Sequence, residues 1–233
     1  PPPALELYRG RYPGPPPERF VLIENGYDES SFDGLPTVAV KKQGEPPVLL
    51  HSGIVYPSER DPGALLEALG RLARDHRIEP GDFLIRFRAP VHEGLLRTLA
   101  DRHGVSAFID IQPAIAYREA LSEMLGADAL LVMQGANCNE QIPAKLYEYL
   151  RAGRPIFGIA DPAGDTERTL AGLGYPLVTP LESADAIERA LPAFLQALRA
   201  GTLPIAQRAV VDRYSRRTLT GRFAALLDQV AAA

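Results

Sequence analysis

Cys138 is the only cysteine in the 233 residues, which excludes an intrachain disulfide and a zinc cluster built on several thiolates. A reducing compartment, the cytoplasm, is the expected location. Long hydrophobic runs are missing too: none approaches the roughly 18 apolar residues that mark a membrane span. The opening Pro-Pro-Pro-Ala lacks the charged, apolar and small-residue progression of a secretory leader. Nor is there an excess of positive charge. A formal net charge of −4 and a pI near 5.6 provide no general field for gathering nucleic acid, so no nucleic-acid partner is expected. The four histidines, at 51, 76, 92 and 103, have no metal-ligand spacing with one another or with Cys138, and no metal is expected. There is no initiating methionine, and the expectation is of a piece cut from a longer polypeptide.

What the chain does have is alternation. Residues 1–19 contain seven prolines and read as an interdomain linker remnant, too stiff and polar for a core element. Phe20–Glu24 is a strand candidate followed by the turn dipeptide Asn25-Gly26, and 41–47 is a polar, proline-containing connection. From Val48 onward, short apolar runs at 48–55, 83–89, 106–112, 129–134, 155–160 and 176–179 alternate with helical periodicity. The helical stretches lie at about 62–76, 92–103, 114–126, 143–152, 164–172 and 183–200. Strands alternating with helices predict an α/β, doubly wound parallel sheet of Rossmann type over 20–233. Pro62 and Pro143 stand where helices should start, and Gly104, Gly153 and Gly174 where they should stop. A C-terminal helical pattern covers about 205–233, with a break expected near Tyr214-Ser215.

Ligands of an open parallel sheet bind beyond the carboxyl ends of its strands, which selects three loops. They are His51-Ser52-Gly53 with Arg60, then Ile111-Gln112-Pro113, then the loop from Gln134 through Gly135, Cys138, Asn139, Glu140 and Gln141 to Ile142. The last one runs into a helix start, whose unpaired N–H groups and positive dipole end favour an anion such as a diphosphate. Lys145 falls in that first turn, and Glu148 follows three residues later on the same face. Such a pair could bind a phosphate and a vicinal sugar diol together, although a solvated surface ion pair fits the spacing equally well.

At this point the residues resemble a family. Glu140-Gln-Ile-Pro-Ala-Lys-Leu-Tyr-Glu148, followed by Tyr-Leu-Arg-Ala-Gly153-Arg-Pro155-Ile, is similar to the donor-site signature of retaining GT-B glycosyltransferases of the glycosyltransferase 4 family. Ile23-Glu24-Asn25-Gly26-Tyr27-Asp28 resembles the phrase at which those enzymes cross into their C-terminal domain. Leu50-His-Ser-Gly-Ile-Val-Tyr, with Arg60-Asp-Pro, resembles their first C-domain strand and glycine loop. The resemblance, over about residues 20–230, implies a domain that binds a UDP- or GDP-linked hexose, with no cofactor or metal and with retention. The acceptor would sit in a separate N-terminal domain.

Carried over by position, Glu148 would hold the ribose hydroxyls, Glu140 the sugar, and Arg60 and Lys145 the diphosphate. Gly53 and Gly135 would admit backbone to the diphosphate. Ile111, Gln112 and Pro113 would edge the base, with Asn139, Gln141 and Ile142 completing the donor loop. The family's arginine after the first-loop glycine is Ile54 here, so one diphosphate contact is missing or supplied elsewhere.

His51 is open between a donor contact and a structural role. Cys138 has no base visibly paired with it. Arg208, Arg213, Arg216, Arg217 and Arg222 in the tail could rest on anionic lipid as a peripheral membrane contact, or brace the N-terminal domain. Two other readings of the whole stay open. One is a nucleotide-sugar epimerase of the same architecture; the other is a non-catalytic doubly wound interaction domain.

Overall fold

The computed structural model describes residues 2–36 and 44–232. Six strands form one all-parallel sheet. They are β1 (Val48–Ser52), β2 (Leu84–Arg88), β3 (Ile109–Gln112), β4 (Ala129–Gln134), β5 (Ile156–Ala160) and β6 (Val178–Thr179). The order is β3-β2-β1-β4-β5-β6, and the parallel pairing is the one the alternating pattern predicted. The helices between them are α2 (Gly63–Arg74), α3 (Glu93–His103), α4 (Tyr117–Gly126), α5 (Ala144–Ala152), α6 (Asp165–Gly172) and α7 (Ala184–Ala200). Helix α1 (Pro2–Arg11) precedes the sheet, and α8 (Arg208–Val211) and α9 (Arg216–Ala231) follow it.

Strand residues are buried on both faces, and neighbours along a strand point oppositely. Leu49, Leu131, Met133, Phe157 and Ile159 therefore join one cluster with α2, α3 and α7, through Leu65, Leu69, Leu96, Ile187, Leu191 and Phe194. Leu50, Leu130, Val132 and Ile156 face the other way. They pack with Leu121 and Met124 of α4, Leu146 and Leu150 of α5, and Leu170 of α6. The second layer matters for function, because it fixes α4 and α5 side by side over the end of β1.

Helix punctuation follows the sequence closely. Pro62 and Pro143 are the residues immediately before α2 and α5, so the helix expected near Ile142 begins at Ala144. Gly104 and Gly153 close α3 and α5 in the left-handed conformation, with φ of 70° and 64°. After α8 a single 3-10 turn, Asp212–Tyr214, ends at Ser215, which caps α9 by accepting from the Thr218 N–H at 3.2 Å, the break expected near that position.

One expectation changes, and the N-terminal stretch gains local structure. Within 1–19, Pro2–Arg11 is helical, since the prolines cluster at the start, where a missing N–H costs least. From Ala4 to Arg11 none of its residues is buried, in keeping with a segment outside the core. Phe20–Glu24 is not a strand, and Asn25-Gly26 makes no hairpin. Residues 27 and 214–216 instead lie backbone to backbone. The Tyr27 N–H donates to the Tyr214 carbonyl (3.1 Å), and the Arg216 N–H donates to the Tyr27 carbonyl (2.8 Å). Of the 41–47 connection, residues 41–43 lie outside the described residues.

Gly26 is required by closeness. A Cβ there would stand 2.0 Å from the Tyr214 carbonyl oxygen and 2.7 Å from Leu219 Cδ1, and the oxygen belongs to backbone that cannot swing aside. Gly26→Ala is expected to cost about 1–3 kcal/mol in chemical unfolding. Gly10→Ala, with no atom within 4 Å of the new carbon, should not lower stability.

Candidate functional site

The strand order reverses between β1 and β4, and in such a sheet the crevice opens beyond the carboxyl ends of the strands at that switch point. The loops after β1 and β4 therefore meet, bringing His51, Gly53 and Arg60 to the same place as Gly135 and the start of α5. They are joined by hydrogen bonds. The Gly135 N–H donates to the Glu59 carbonyl at 2.6 Å, and Asn137 Nδ2 donates to the Ser58 carbonyl at 2.8 Å.

Lys145 lies at the centre. Its ammonium is 3.1 Å from His51 Nε2, and a Cβ on Gly53 would stand 3.2 Å from Lys145 Nζ. Gly53 also has φ of +105°, so both its conformation and its contact with the lysine favour a residue without a side chain. His51 Nδ1 lies 3.0 Å from the Leu131 carbonyl. A carbonyl only accepts, so Nδ1 carries the proton and Nε2 offers its lone pair to Lys145. His51 is fully buried, and burial, followed by the Lys145 charge, holds its pKa well below the ordinary histidine value. In the neutral form it can accept from the lysine, and its full burial makes it part of the packing that holds Lys145.

Burial, then the charge of Arg60, lowers the Lys145 pKa to about 7, while Glu148 acts in the opposite direction. Arg60 shares this under-compensated state. Its guanidinium stacks on Tyr56 at 5.2 Å, and its buried Nε has no hydrogen-bond partner. Among the described residues neither Lys145 nor Arg60 forms an ion pair with a carboxylate. Helix α5 has no side-chain cap; the Leu146 N–H donates to the Pro143 carbonyl at 2.9 Å, which leaves the N–H groups of Ala144 and Lys145 at the helix start for a ligand. Two cations and a bare helix start that converge without counter-charge form a place for an anion.

Glu148 is half-buried on the same face of α5 as Lys145, not turned into the core. Its Oε1 accepts from the Tyr117 hydroxyl at 2.7 Å. Tyr117 was not anticipated by the spacing of residues, because its contact depends on how α4 lies against α5. Tyr149, one residue after Glu148, is fully buried and accepts from the Ser52 N–H at 2.8 Å, tying α5 to the end of β1.

The other expected residues divide. Glu140 and Gln141 are exposed on the loop. Asn139 is half-buried, and its carbonyl accepts from the Asp165 N–H at 2.8 Å. Ile142 packs its side chain against the α4/α5 layer and Ile111 against the α2/α3 layer, so neither side chain faces the crevice. All four residues of the edge strand β3 are half-buried, and the Ile111 side chain lies on its α2/α3 side. Gln112 donates to Asp110 Oδ1 at 2.6 Å. The Pro113 carbonyl accepts from Arg88 at 2.7 Å, and Glu123 anchors the same guanidinium at 2.7 and 2.8 Å, which makes the loop after β3 firm.

A cavity of about 370 Å³ lies beyond Gly135, among Ser58, Asp61, Leu181 and Glu182. Neither Lys145 nor Glu148 lines it, and its carboxylates repel an anion, so the two converging cations at the start of α5 are the stronger candidate. Cys138 is buried, and burial raises its thiol pKa, the opposite of an activated nucleophile. Among the described residues no group of three or more His, Cys, Asp or Glu could hold a metal, and no helix is long and apolar enough to cross a membrane. In the tail, Arg208 pairs with Glu29 and Asp212, and Arg222 with Glu24, so part of its basic charge is spent within the chain.

No protein-family model and no curated protein matches this sequence. Solved structures do match. Anabaena HepE, in complex with UDP and glucose, aligns at a TM-score of 0.67 and 14% identity over 93% of this chain and 59% of its own. Sucrose-phosphate synthase from Thermosynechococcus elongatus aligns at 0.67 and 16% identity, over 99% and 57%. The lipopolysaccharide outer core galactosyltransferase WaaB aligns at 0.65 and 15%, over 97% and 59%. The chain thus has the fold of the C-terminal domain of GT-B glycosyltransferases and spans less than two thirds of these neighbours' lengths.

A diphosphate placed beside Lys145 would favour its charged form and so raise its pKa. Affinity is then greatest below pH 7 and declines as pH rises through the lysine's unbound value toward 8.5, by no more than about tenfold per pH unit. Calorimetry across that range should show the decline and a matching proton uptake, and Lys145→Met should flatten it.

Proposed function

We propose that this chain is the donor-binding domain of a glycosyltransferase, holding a UDP- or GDP-linked hexose for transfer to an acceptor on a separate N-terminal domain. The observation that carries this reading is the convergence of Lys145 and Arg60, without counter-charge, at a bare helix start, with the Glu148 carboxylate less than one helical turn beyond. The cations suit a diphosphate, and the carboxylate suits a ribose diol. The complex of HepE with UDP-glucose, on the same fold, favours a uridine nucleotide.

In this reading Lys145, Arg60 and the α5 dipole stabilise the charge that develops on the departing diphosphate. Glu140, exposed on the approach loop, meets the hexose. Transfer proceeds with retention, and the domain alone binds donor without efficient turnover. The full protein works in the cytoplasm. Arg216 and Arg217, which form no ion pair among the described residues, leave room for contact with an anionic membrane surface.

Titration calorimetry of the folded chain with UDP and GDP tests the proposal. Binding of at least one at or below millimolar concentration is expected. Glu148→Ala should weaken it about tenfold or more, the cost of a charged hydrogen bond. Failure of both nucleotides to bind at millimolar concentration would defeat the reading.

A further inference from the structure

The Glu148 carboxylate has one hydrogen-bond partner among the described residues, the Tyr117 hydroxyl at 2.7 Å. We infer that Tyr117 is a positioning residue that sets the geometry of the Glu148 carboxylate for a vicinal diol, and so makes the site discriminate ribose from deoxyribose. The inference rests on the nucleotide-binding reading above and deepens it.

A carboxylate offers about four lone-pair sites. Tyr117 takes one on Oε1, which leaves Oε2 and the second Oε1 site for two neighbouring hydroxyls. A glutamate on a half-exposed helix face otherwise samples several rotamers, and a ligand that needs one of them must order the side chain as it binds. The phenol performs that ordering beforehand. Burial, then the bond to Glu148, pushes its pKa up to about 12, so it remains a donor throughout the physiological range.

Tyr117 is itself held in place. It is the first residue of α4. Arg118, the next residue, donates to the carbonyls of Ser31 at 3.2 Å and Asp33 at 2.7 Å, and Ser122 donates to the Pro36 carbonyl at 2.6 Å. Helix α4 is thereby fastened to the segment that leads into the sheet. Tyr117 as a residue is nonetheless 53% exposed, so its hydroxyl, which meets Glu148 and the Ser31 side chain, is not placed there by core packing.

The test is calorimetry on the full chain with UDP or GDP, whichever the unmodified chain binds more tightly, and with its 2′-deoxy form. Tyr117→Phe keeps the ring and removes the donor, and thermal unfolding checks that the fold is intact. We expect a loss of about three- to tenfold for the ribonucleotide and little change for the deoxynucleotide, so that discrimination shrinks. In a Glu148→Ala background, Tyr117→Phe should have no further effect. Equal affinity of the unmodified chain for the ribo and deoxy forms, an unchanged ratio in Tyr117→Phe, or an equal loss in both backgrounds would each overturn the inference while leaving the donor-site reading in place. Absence of binding to any nucleotide by the unmodified chain would overturn both.

Discussion

The site depends on a lysine drawn out of water without a carboxylate to meet it. Among the described residues Lys145 has only a neutral histidine at hydrogen-bond distance, with Arg60 adding a second positive charge nearby. Removing an ammonium from water is unfavourable unless its charge is compensated, and here the deficit is supported by packing around it. His51 is locked by the Leu131 carbonyl, Gly53 clears space for the ammonium, and the buried Tyr149 ties α5 to β1. The fold keeps a positive charge waiting at the switch point of the sheet. An arriving diphosphate relieves that state, and this relief is a source of affinity that a solvated surface lysine does not have.

Much of the fold was legible because periodicity and punctuation agree with one another. The apolar runs predicted six strands, and the sheet has six. Pro143 and Gly153 mark both ends of α5. Expectations failed where a local signal was outweighed by a distant contact. Asn25-Gly26 reads as a turn, but the glycine is needed because the backbone of Tyr214, far along the chain, passes against it. Phe20–Glu24 has strand composition yet no neighbouring strand to pair with. Pro2–Arg11 is helical, since its prolines cluster at the start, and none of its residues from Ala4 on is buried.

For the site, the sequence was informative about which residues sit on the loops and poor about which way they face. Lys145 and Glu148 were placed together by helical spacing, and the structure keeps them on one face. Ile111 lies at the end of β3 as expected from the pattern, and its half-buried side chain packs on the α2/α3 cluster, a direction that four residues of strand composition do not record. Tyr117 and His51 are the reverse case. Both reach their partners across packed elements, His51 to a helix from a strand and Tyr117 from one helix to another, and no one-dimensional period records such contacts.

The most direct measurement is a side-chain NMR titration of Lys145, assigned by its loss in Lys145→Met, in the free chain and with saturating UDP. The account predicts a midpoint near 7 in the free chain and a clear upward move once the diphosphate is bound. A midpoint near the ordinary lysine value of about 10.4, unmoved by nucleotide, would contradict it.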